Sequence, residues 1–255
     1  MNAQFKARLK AGDPLIGIIQ SLACPEVTEI VALSGFDWVF IDLEHSALDV
    51  GPAMRLLQVC PPHCPGIVRV PAVDEAWTKR LLDSGASGII FPLVNSAEQA
   101  ARAVALCRYP PAGTRGVGIS RAQGYGLKFK EYIDTANREV VVILQIEHHE
   151  AVRYIEQIVN VPGIDALFIG PYDLSGSLGK IGQVDDAQVQ EQIEKVRLTA
   201  QAAGVPLGIF TADPASVPGL IDKGYTLVAL GIDTLFLSRT LAGALAGIKN
   251  NPTRR

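Results

Sequence analysis

The sequence predicts an α/β fold of the (β/α)8 TIM barrel class. Short apolar runs, rich in β-branched residues, alternate along the chain with amphipathic segments of helical spacing. Strands that are apolar along their whole length are typical of a parallel sheet covered by helices on its faces. At 255 residues the chain has a length at which such barrels form one domain. We therefore expect a single barrel domain over residues 1–255.

Eight segments have the character of buried strands. They are Leu15–Gln20, Trp38–Asp42, Gly66–Val70, Gly88–Pro92, Val140–Glu147, Ala166–Gly170, Pro206–Thr211 and Leu227–Gly231. The amphipathic segments between them are Pro25–Ser34, Ala76–Ser84, Ala97–Cys107, Glu150–Asn160, Gln188–Ala203 and Ala215–Lys223. A dinucleotide fold would carry GxGxxG after its first strand, but SLACPE in that place contains no glycine. The closed barrel is therefore favoured over an open, doubly wound sheet.

The composition argues against several classes of protein. Lys and Arg number 23 against 26 Asp and Glu, a formal net charge of −3, and no basic stripe is present. We therefore expect neither nucleic acid nor an anionic membrane as a partner. The polar N-terminus lacks the apolar region of a signal peptide. The four cysteines form no CxxC pair and suit free thiols in the cytoplasm, where we expect the protein.

One connection between predicted strands is unusually long and rich in glycine. It spans residues 108–137, between the fourth and fifth strands. Connections of this length are uncommon unless they are functional. We expect this segment at the active-site face of the barrel, as a lid or a wall, with residues 119–129 shaping specificity.

Ionisable and polar side chains gather where several predicted strands end. Burying such groups without partners is costly, whereas barrel enzymes carry their chemistry at the carboxyl ends of the strands. The side chains in question are Asp42, Glu44, His45, Arg69, Gln145, Glu147 and Asp173. We expect them to share a ligand at one rim of the barrel.

Glu147 and Asp173 follow neighbouring strands and form the natural pair for a divalent cation. Hard ions such as Mg²⁺ bind through one or two carboxylates and leave other positions to water and substrate oxygens. Either acid alone would more simply cap the helix that follows it. Both together, beside Gln145, favour a metal site.

His45 and Arg69 are the candidate catalytic groups at this rim. Asp42 precedes His45 by three positions, and an acid near a histidine fixes its tautomer and raises its basicity. Arg69 ends an apolar strand and needs an anion. A structural role for His45, and a salt bridge from Arg69 to Asp42 or Glu44, remain open alternatives.

Seven stretches of the chain, in order, resemble the HpcH/HpaI family of metal-dependent pyruvate aldolases. They are GFDWVFIDLEH, VRV, LLDSGA, RYPPAGTRGVG, QIE, GPYDLS and GIDT. The resemblance implies a barrel enzyme that cleaves 4-hydroxy-2-oxo acids to pyruvate and an aldehyde, in aromatic or sugar acid catabolism. It also implies a homohexamer, a trimer of dimers, with the last helix, residues 234–249, exchanged between subunits.

The same resemblance assigns roles to three residues of the catalytic machinery. His45 corresponds to the catalytic base, Arg69 to the arginine that stabilises the transition state, and Asp83 to the acid that tunes the histidine. Asp83 lies before the fourth strand, at the opposite end of its own barrel from His45. We therefore expect Asp83 to act across a subunit contact.

The resemblance also assigns ligand-binding roles. Glu147 and Asp173 correspond to the metal ligands, with Mg²⁺, Mn²⁺ or Co²⁺ as the expected ion. Gln145 and the Tyr172–Asp173 segment correspond to positions that contact pyruvate. The best-known members have VRP and GPADLS where this chain has Val70 and Tyr172, so the expected site is narrower beside the metal.

Cleavage of a carbon–carbon bond beside a ketone needs an electron sink, either a lysine Schiff base or a metal. No lysine ends a predicted strand, which favours the metal. Two other readings stay open. One is an acyl-CoA lyase of the citrate-lyase and malyl-CoA branch; the other is a non-catalytic barrel that binds a 2-oxo acid.

Overall fold

A computed structural model describes residues 3–249 and shows a closed barrel of eight parallel strands. The strands are β1 (Leu15–Gln20), β2 (Trp38–Asp42), β3 (Gly66–Arg69), β4 (Gly88–Phe91), β5 (Val141–Ile146), β6 (Ala166–Ile169), β7 (Leu207–Thr211) and β8 (Leu227–Ile232). Each strand pairs with the next along the chain, and β8 pairs with β1. The predicted barrel and the places of its strands are confirmed.

Helices surround the barrel, and the first of them closes its amino end. They are α1 (Ala3–Ala11), α2 (Pro25–Leu33), α3 (Val50–Val59), α4 (Glu75–Asp83), α5 (Ala97–Leu106), α6 (Phe129–Glu139), α7 (His149–Arg153), α8 (Ile155–Val159), α9 (Pro171–Ser177), α10 (Ala187–Ala202), α11 (Val217–Asp222) and α12 (Asp233–Lys249). Within residues 3–249, no helix has both the length and the hydropathy required to cross a bilayer.

The strands are buried on both faces, which explains their continuous apolar character. Large side chains fill the barrel interior, with Trp38 stacked on Phe40 and Phe40 edge-on to Phe168. Gly17 of β1 faces Trp38, and a Cβ at this position would clash with the indole ring. The filled interior leaves the chemistry to the rim of the barrel.

Charged side chains close the amino end of the barrel. Lys6 of α1 donates to Asp165 Oδ2 at 2.9 Å and to the carbonyl of Val140 at 3.0 Å. Arg108 donates to the same carbonyl at 3.1 Å. Because these groups satisfy one another in the buried base, they serve the fold and leave the opposite rim to function.

The long connection lies at this amino end, and the expectation that it lines the active-site face of its own barrel is wrong. It contains a 3₁₀ segment, Arg121–Gly126, and α6. Arg121 donates to the carbonyls of Ser84 at 2.9 Å and Leu57 at 3.2 Å, near the ends of α4 and α3. The physical reason is topological: the segment leads from α5 back into β5, and such returns reach the amino ends of the strands.

The last helix, α12, matches the predicted helix 234–249 and carries a row of exposed apolar side chains. Leu237, Leu241, Leu245 and Ile248 are each more than half exposed. Spacings of three and four residues place them on one face of the helix. An apolar row of this kind is typical of a surface that is covered in an assembly.

Candidate active site

Arg69 is the centre of a buried polar network at the carboxyl end of the barrel. β2 and β3 pair so that Asp42 and Arg69 lie side by side. Nε of Arg69 donates to Asp42 Oδ1 at 2.9 Å and Nη2 donates to Oδ2 at 2.7 Å, a bidentate pair. The salt bridge that the sequence left open is therefore present. The other terminal nitrogen, Nη1, forms an ion pair with Glu44 Oε2 at 3.1 Å and donates a hydrogen bond to Gln145 Oε1 at 3.4 Å.

Asp42 does not contact the imidazole of His45, contrary to the expectation that it sets the histidine's tautomer. Besides pairing with Arg69, its Oδ1 accepts hydrogen bonds from the backbone N–H groups of Glu44 at 3.0 Å and His45 at 3.3 Å. Asp42 thus shapes the turn after β2. The side chain of His45 is 63% exposed, and its Nε2 lies 3.8 Å from Glu44 Oε2.

Glu44 is a half-buried acid with several negatively charged neighbours. Burial, together with the negative charges of Glu147, Asp42 and Asp173, raises the pKa of Glu44 to about 7, although Arg69 opposes the shift. Among the described residues no donor makes a well-formed hydrogen bond to Glu44 Oε2. The cationic group beside this oxygen is the guanidinium of Arg69, whose Nη1 lies 3.1 Å away.

Glu147 follows β5 and is held firmly on one side. Its Oε1 accepts from the backbone N–H of Leu93 at 2.8 Å, and its Oε2 accepts a close contact from the amide of Gln145. A Cβ on Gly170 would lie 2.7 Å from Oε2, so only glycine permits this approach. Burial first, and the charge of Asp173 as well, raise the pKa of Glu147.

A cavity of about 150 Å³ lies beside this network. Its lining includes His45, Arg69, Gln145, Tyr172, Asp173, Phe168, Phe210 and Ile232. Asp173 is on the first turn of α9 and is exposed to the cavity. Polar groups from strands 2, 3, 5 and 6 therefore meet at one rim, as expected from the sequence.

The residues of the cavity fit a divalent cation. Four carboxylates, those of Asp42, Glu44, Glu147 and Asp173, influence one another around the guanidinium of Arg69. Residues 3–249 contain no group of three or more His, Cys, Asp and Glu side chains arranged for a metal. Glu147 and Asp173 would supply two protein ligands, an arrangement typical of Mg²⁺ with water and substrate oxygens.

The chain matches the model of a known protein family. The model of the HpcH/HpaI aldolase/citrate lyase family matches residues 16–239. The chain belongs to this family. The HpcH/HpaI barrel is also seen in a solved family member from Burkholderia cenocepacia, with a TM-score of 0.93, 35% identity and coverage of 97% of this chain and 100% of the other.

Two curated HpcH/HpaI relatives are similar over nearly their whole length. A hydroxypyruvate/pyruvate aldolase of Paraburkholderia phytofirmans is 41% identical, over 96% of this chain and 97% of the relative. A 4-hydroxy-2-oxo-heptane-1,7-dioate aldolase of Salmonella typhimurium is 40% identical, over 94% and 92%. Both are named as aldolases, in agreement with the resemblance noted in the sequence.

Asp83 is a candidate that the fold places at the opposite end of the barrel from the cavity. It ends α4, at the amino side of the barrel, and its Oδ1 accepts a hydrogen bond from Nη2 of Arg115 at 2.8 Å. Within one HpcH/HpaI barrel it lies at the wrong end for His45. A catalytic role for Asp83 therefore requires a second subunit.

Two contributions to the site were missed in the sequence. The backbone N–H of Leu93 fixes Glu147, and Leu93 adopts a φ of 51° that no glycine or asparagine signalled. Phe210 and Ile232, at the ends of β7 and β8, form apolar walls. Their position in the last residues of two strands was a usable signal, because every strand delivers side chains to this rim.

Proposed function

We propose that the protein is a divalent-metal-dependent aldolase, a carbon–carbon lyase that cleaves and forms 4-hydroxy-2-oxo acids. The products of cleavage are pyruvate, or a close analogue, and an aldehyde. The observation that carries the proposal is the cavity that places His45, Arg69, Gln145 and Asp173 around one volume, beside Glu147. Two relatives near 40% identity, both named as aldolases, support it.

Glu147 and Asp173 would hold the divalent cation that serves as the electron sink. When present, it acts as a Lewis acid that stabilises developing negative charge on a carbonyl oxygen. We propose Mg²⁺, Mn²⁺ or Co²⁺. Among residues 3–249 no lysine lines the cavity, and the buried Lys6 is engaged with Asp165 at the other end of the barrel. A Schiff-base route therefore finds no lysine in this cavity.

The side chains divide the remaining work. Arg69, fixed by Asp42, directs Nη1 into the cavity, where it stabilises the oxygen on which enolate charge develops. Gln145 is fixed by Glu147 and contacts pyruvate. The exposed imidazole of His45 takes the proton from the 4-hydroxyl during cleavage and returns it during synthesis.

The direct test is a cleavage assay. Purified protein is supplied with Mn²⁺ and a panel of 4-hydroxy-2-oxo acids, and pyruvate release is followed with a coupled dehydrogenase. Release of pyruvate with an aldehyde supports the proposal. Turnover of acyl-CoA thioesters alone would favour the citrate-lyase reading, and binding of 2-oxo acids without turnover would favour a non-catalytic barrel.

Tyr172 is expected to limit the size of the aldehyde. Its ring lies edge-on to Phe210, with centroids 6.0 Å apart, at the side of the cavity next to Asp173. Tyr172→Ala removes this wall, so kcat/KM for a bulky aldehyde should rise by about 10-fold relative to a short one, within the range of hydrophobic pocket discrimination. The measurement is the ratio of kcat/KM for a bulky aldehyde to that for a short aldehyde, taken from steady-state synthesis rates.

The matched control is Tyr172→Phe, which keeps the ring and removes only the hydroxyl. It should retain the wild-type preference between the two aldehydes. Unchanged preference in Tyr172→Ala would mean that the ring does not border the aldehyde.

We further propose a homohexamer in the cytoplasm, a trimer of dimers in which α12 is exchanged between subunits. The exposed apolar row of α12, from Leu237 to Ile248, supports a subunit contact. Free cysteines are found at all four positions and suit a reducing compartment. In such an assembly Asp83 of one subunit would support His45 of another.

Mixing inactive subunits tests this sharing. Asp83→Ala and His45→Ala proteins, each folded and inactive, should regain part of the activity after subunit exchange, because some interfaces pair an intact His45 with an intact Asp83. Native mass spectrometry confirms that mixed oligomers have formed. Mixed oligomers without activity would leave Asp83 outside the catalytic machinery.

A further inference from the structure

We propose that Arg115 is a positioning residue that fixes the carboxylate of Asp83 for its work in a neighbouring subunit's active site. The inference rests on the proposed function, which gives Asp83 its catalytic partner. Arg115 has no contact with the cavity of its own barrel, and nothing in the chemistry of that cavity requires it.

Arg115 is a fully buried cation with few ways to move. Its side chain has no exposed surface, and its guanidinium lies over the ring of Tyr109, 4.5 Å from the centroid, and near that of Tyr132 at 5.4 Å. Nη1 donates to the hydroxyl of Tyr132 at 3.0 Å. The two rings fix the plane of the guanidinium, and the hydroxyl only accepts the hydrogen bond of Nη1.

The other terminal nitrogen of this guanidinium, Nη2, binds Asp83. Nη2 donates to Asp83 Oδ1 at 2.8 Å, while the side chain of Asp83 keeps 17% of its surface exposed. No donor among the described residues bonds to Oδ2, which faces Gly118, where a Cβ would come within 3.5 Å. One oxygen is therefore anchored and the other is left available at the surface.

The backbone beneath Asp83 is fixed as well. Ser84 follows it, and the Ser84 carbonyl accepts a hydrogen bond from Arg121 at 2.9 Å. Arg115 and Arg121 both belong to the connection between α5 and β5. This segment therefore determines both the backbone and the side-chain position of one carboxylate.

A purely structural role explains this arrangement poorly. Burying a guanidinium carries a large desolvation penalty, and well-packed apolar side chains often replace buried ion pairs without loss of stability. Nε of Arg115 has no hydrogen-bond partner among the described residues, so the desolvation is incompletely compensated. Holding Asp83 in a single orientation for a neighbouring active site is a function that explains why Arg115 is buried here.

The test is a double-mutant cycle on the full oligomer. Arg115→Lys keeps the charge and removes the planar fork. We expect kcat for cleavage to fall by about 10-fold to 100-fold, the range for residues that orient a functional group, with KM for the oxo acid unchanged. The residual kcat of Asp83→Ala is measured at high enzyme concentration, and in that background the same substitution should cause no further loss, because its effect passes through Asp83.

Tyr132→Phe is the matched control. It removes the other hydrogen bond of Arg115 and leaves the pair with Asp83, so kcat should stay within about threefold of wild type, a change of less than 1 kcal/mol. Oligomer mass and thermal unfolding are measured for every variant. Arg115→Gln repeats the test if Arg115→Lys does not assemble.

The outcomes separate the two proposals. An inactive wild-type protein contradicts the proposed function itself. With an active wild type, the positioning role is overturned if the losses from Arg115→Lys and Asp83→Ala add, if Arg115→Lys retains full kcat, or if neither Arg115 variant folds.

Discussion

Exhaustive removal of divalent cations is expected to abolish aldol cleavage, and added Mg²⁺, Mn²⁺ or Co²⁺ is expected to restore it. Four carboxylates lie near a single guanidinium, and burial raises the pKa values of Glu44 and Glu147. A cation held by Glu147 and Asp173 would offset this charge and supply Lewis acidity to the reaction. Activity is measured after dialysis against EDTA and again with each metal.

The control for chelation is to show that the metal-free protein is still folded and assembled. Circular dichroism and oligomer mass should be unchanged in the metal-free protein, because the barrel core does not depend on the ion. Full activity after chelation, with a pyruvate adduct trapped by borohydride, would contradict the metal assignment.

Arg69→Ala is expected to lower kcat by about 10²–10³, or about 2.7–4 kcal/mol, the usual loss when a donor to a developing oxyanion is removed. Arg69 is 7% exposed and is the guanidinium that lines the cavity. Its removal also leaves the buried Asp42 without its bidentate partner. Steady-state kinetics with saturating Mn²⁺ measure the loss.

Arg69→Lys is the matched variant, since it keeps the charge but loses the bidentate fork to Asp42. We expect it to be intermediate between wild type and Arg69→Ala. A tenfold or smaller loss in Arg69→Ala, with metal affinity preserved, would mean that Arg69 is only a structural ion-pair partner.

The sequence predicted the barrel because its strands must be apolar on both faces. The same constraint made Asp42 and Arg69 conspicuous, and their pairing follows from the register of β2 and β3. Charged residues at the end of a buried strand need a partner, and here each is the other's. This part of the site was therefore accessible to sequence reasoning.

Side-chain direction was not accessible in the same way. Asp42 precedes His45 by three residues, yet its oxygens bond to backbone N–H groups and to Arg69. Spacing along the chain cannot distinguish these acceptor roles, because they depend on rotamers after the strand has ended. The contribution of Leu93 was missed for a related reason. It donates through its backbone N–H, and the residue type does not reveal which backbone groups will act as donors.

The long connection between β4 and β5 was predicted at the wrong end of the barrel. That prediction used the length of the connection and did not consider that it follows α5. The segment follows α5, and a connection that follows a helix returns to the amino ends of the strands. Its placement also separates Asp83 and Arg115 from the cavity of their own barrel. A role in catalysis then depends on assembly, which the sequence of one chain encodes only indirectly.

The most direct measurement of the central claim is hydrogen exchange at the methyl group of pyruvate in D₂O, followed by proton NMR. It reports enolate formation without any need to know the aldehyde. The account predicts exchange that requires both a divalent cation and Glu147, so that Glu147→Ala and metal-free wild type are silent. Exchange that continues unchanged in the metal-free protein, or its absence from metal-loaded wild type, would contradict the account.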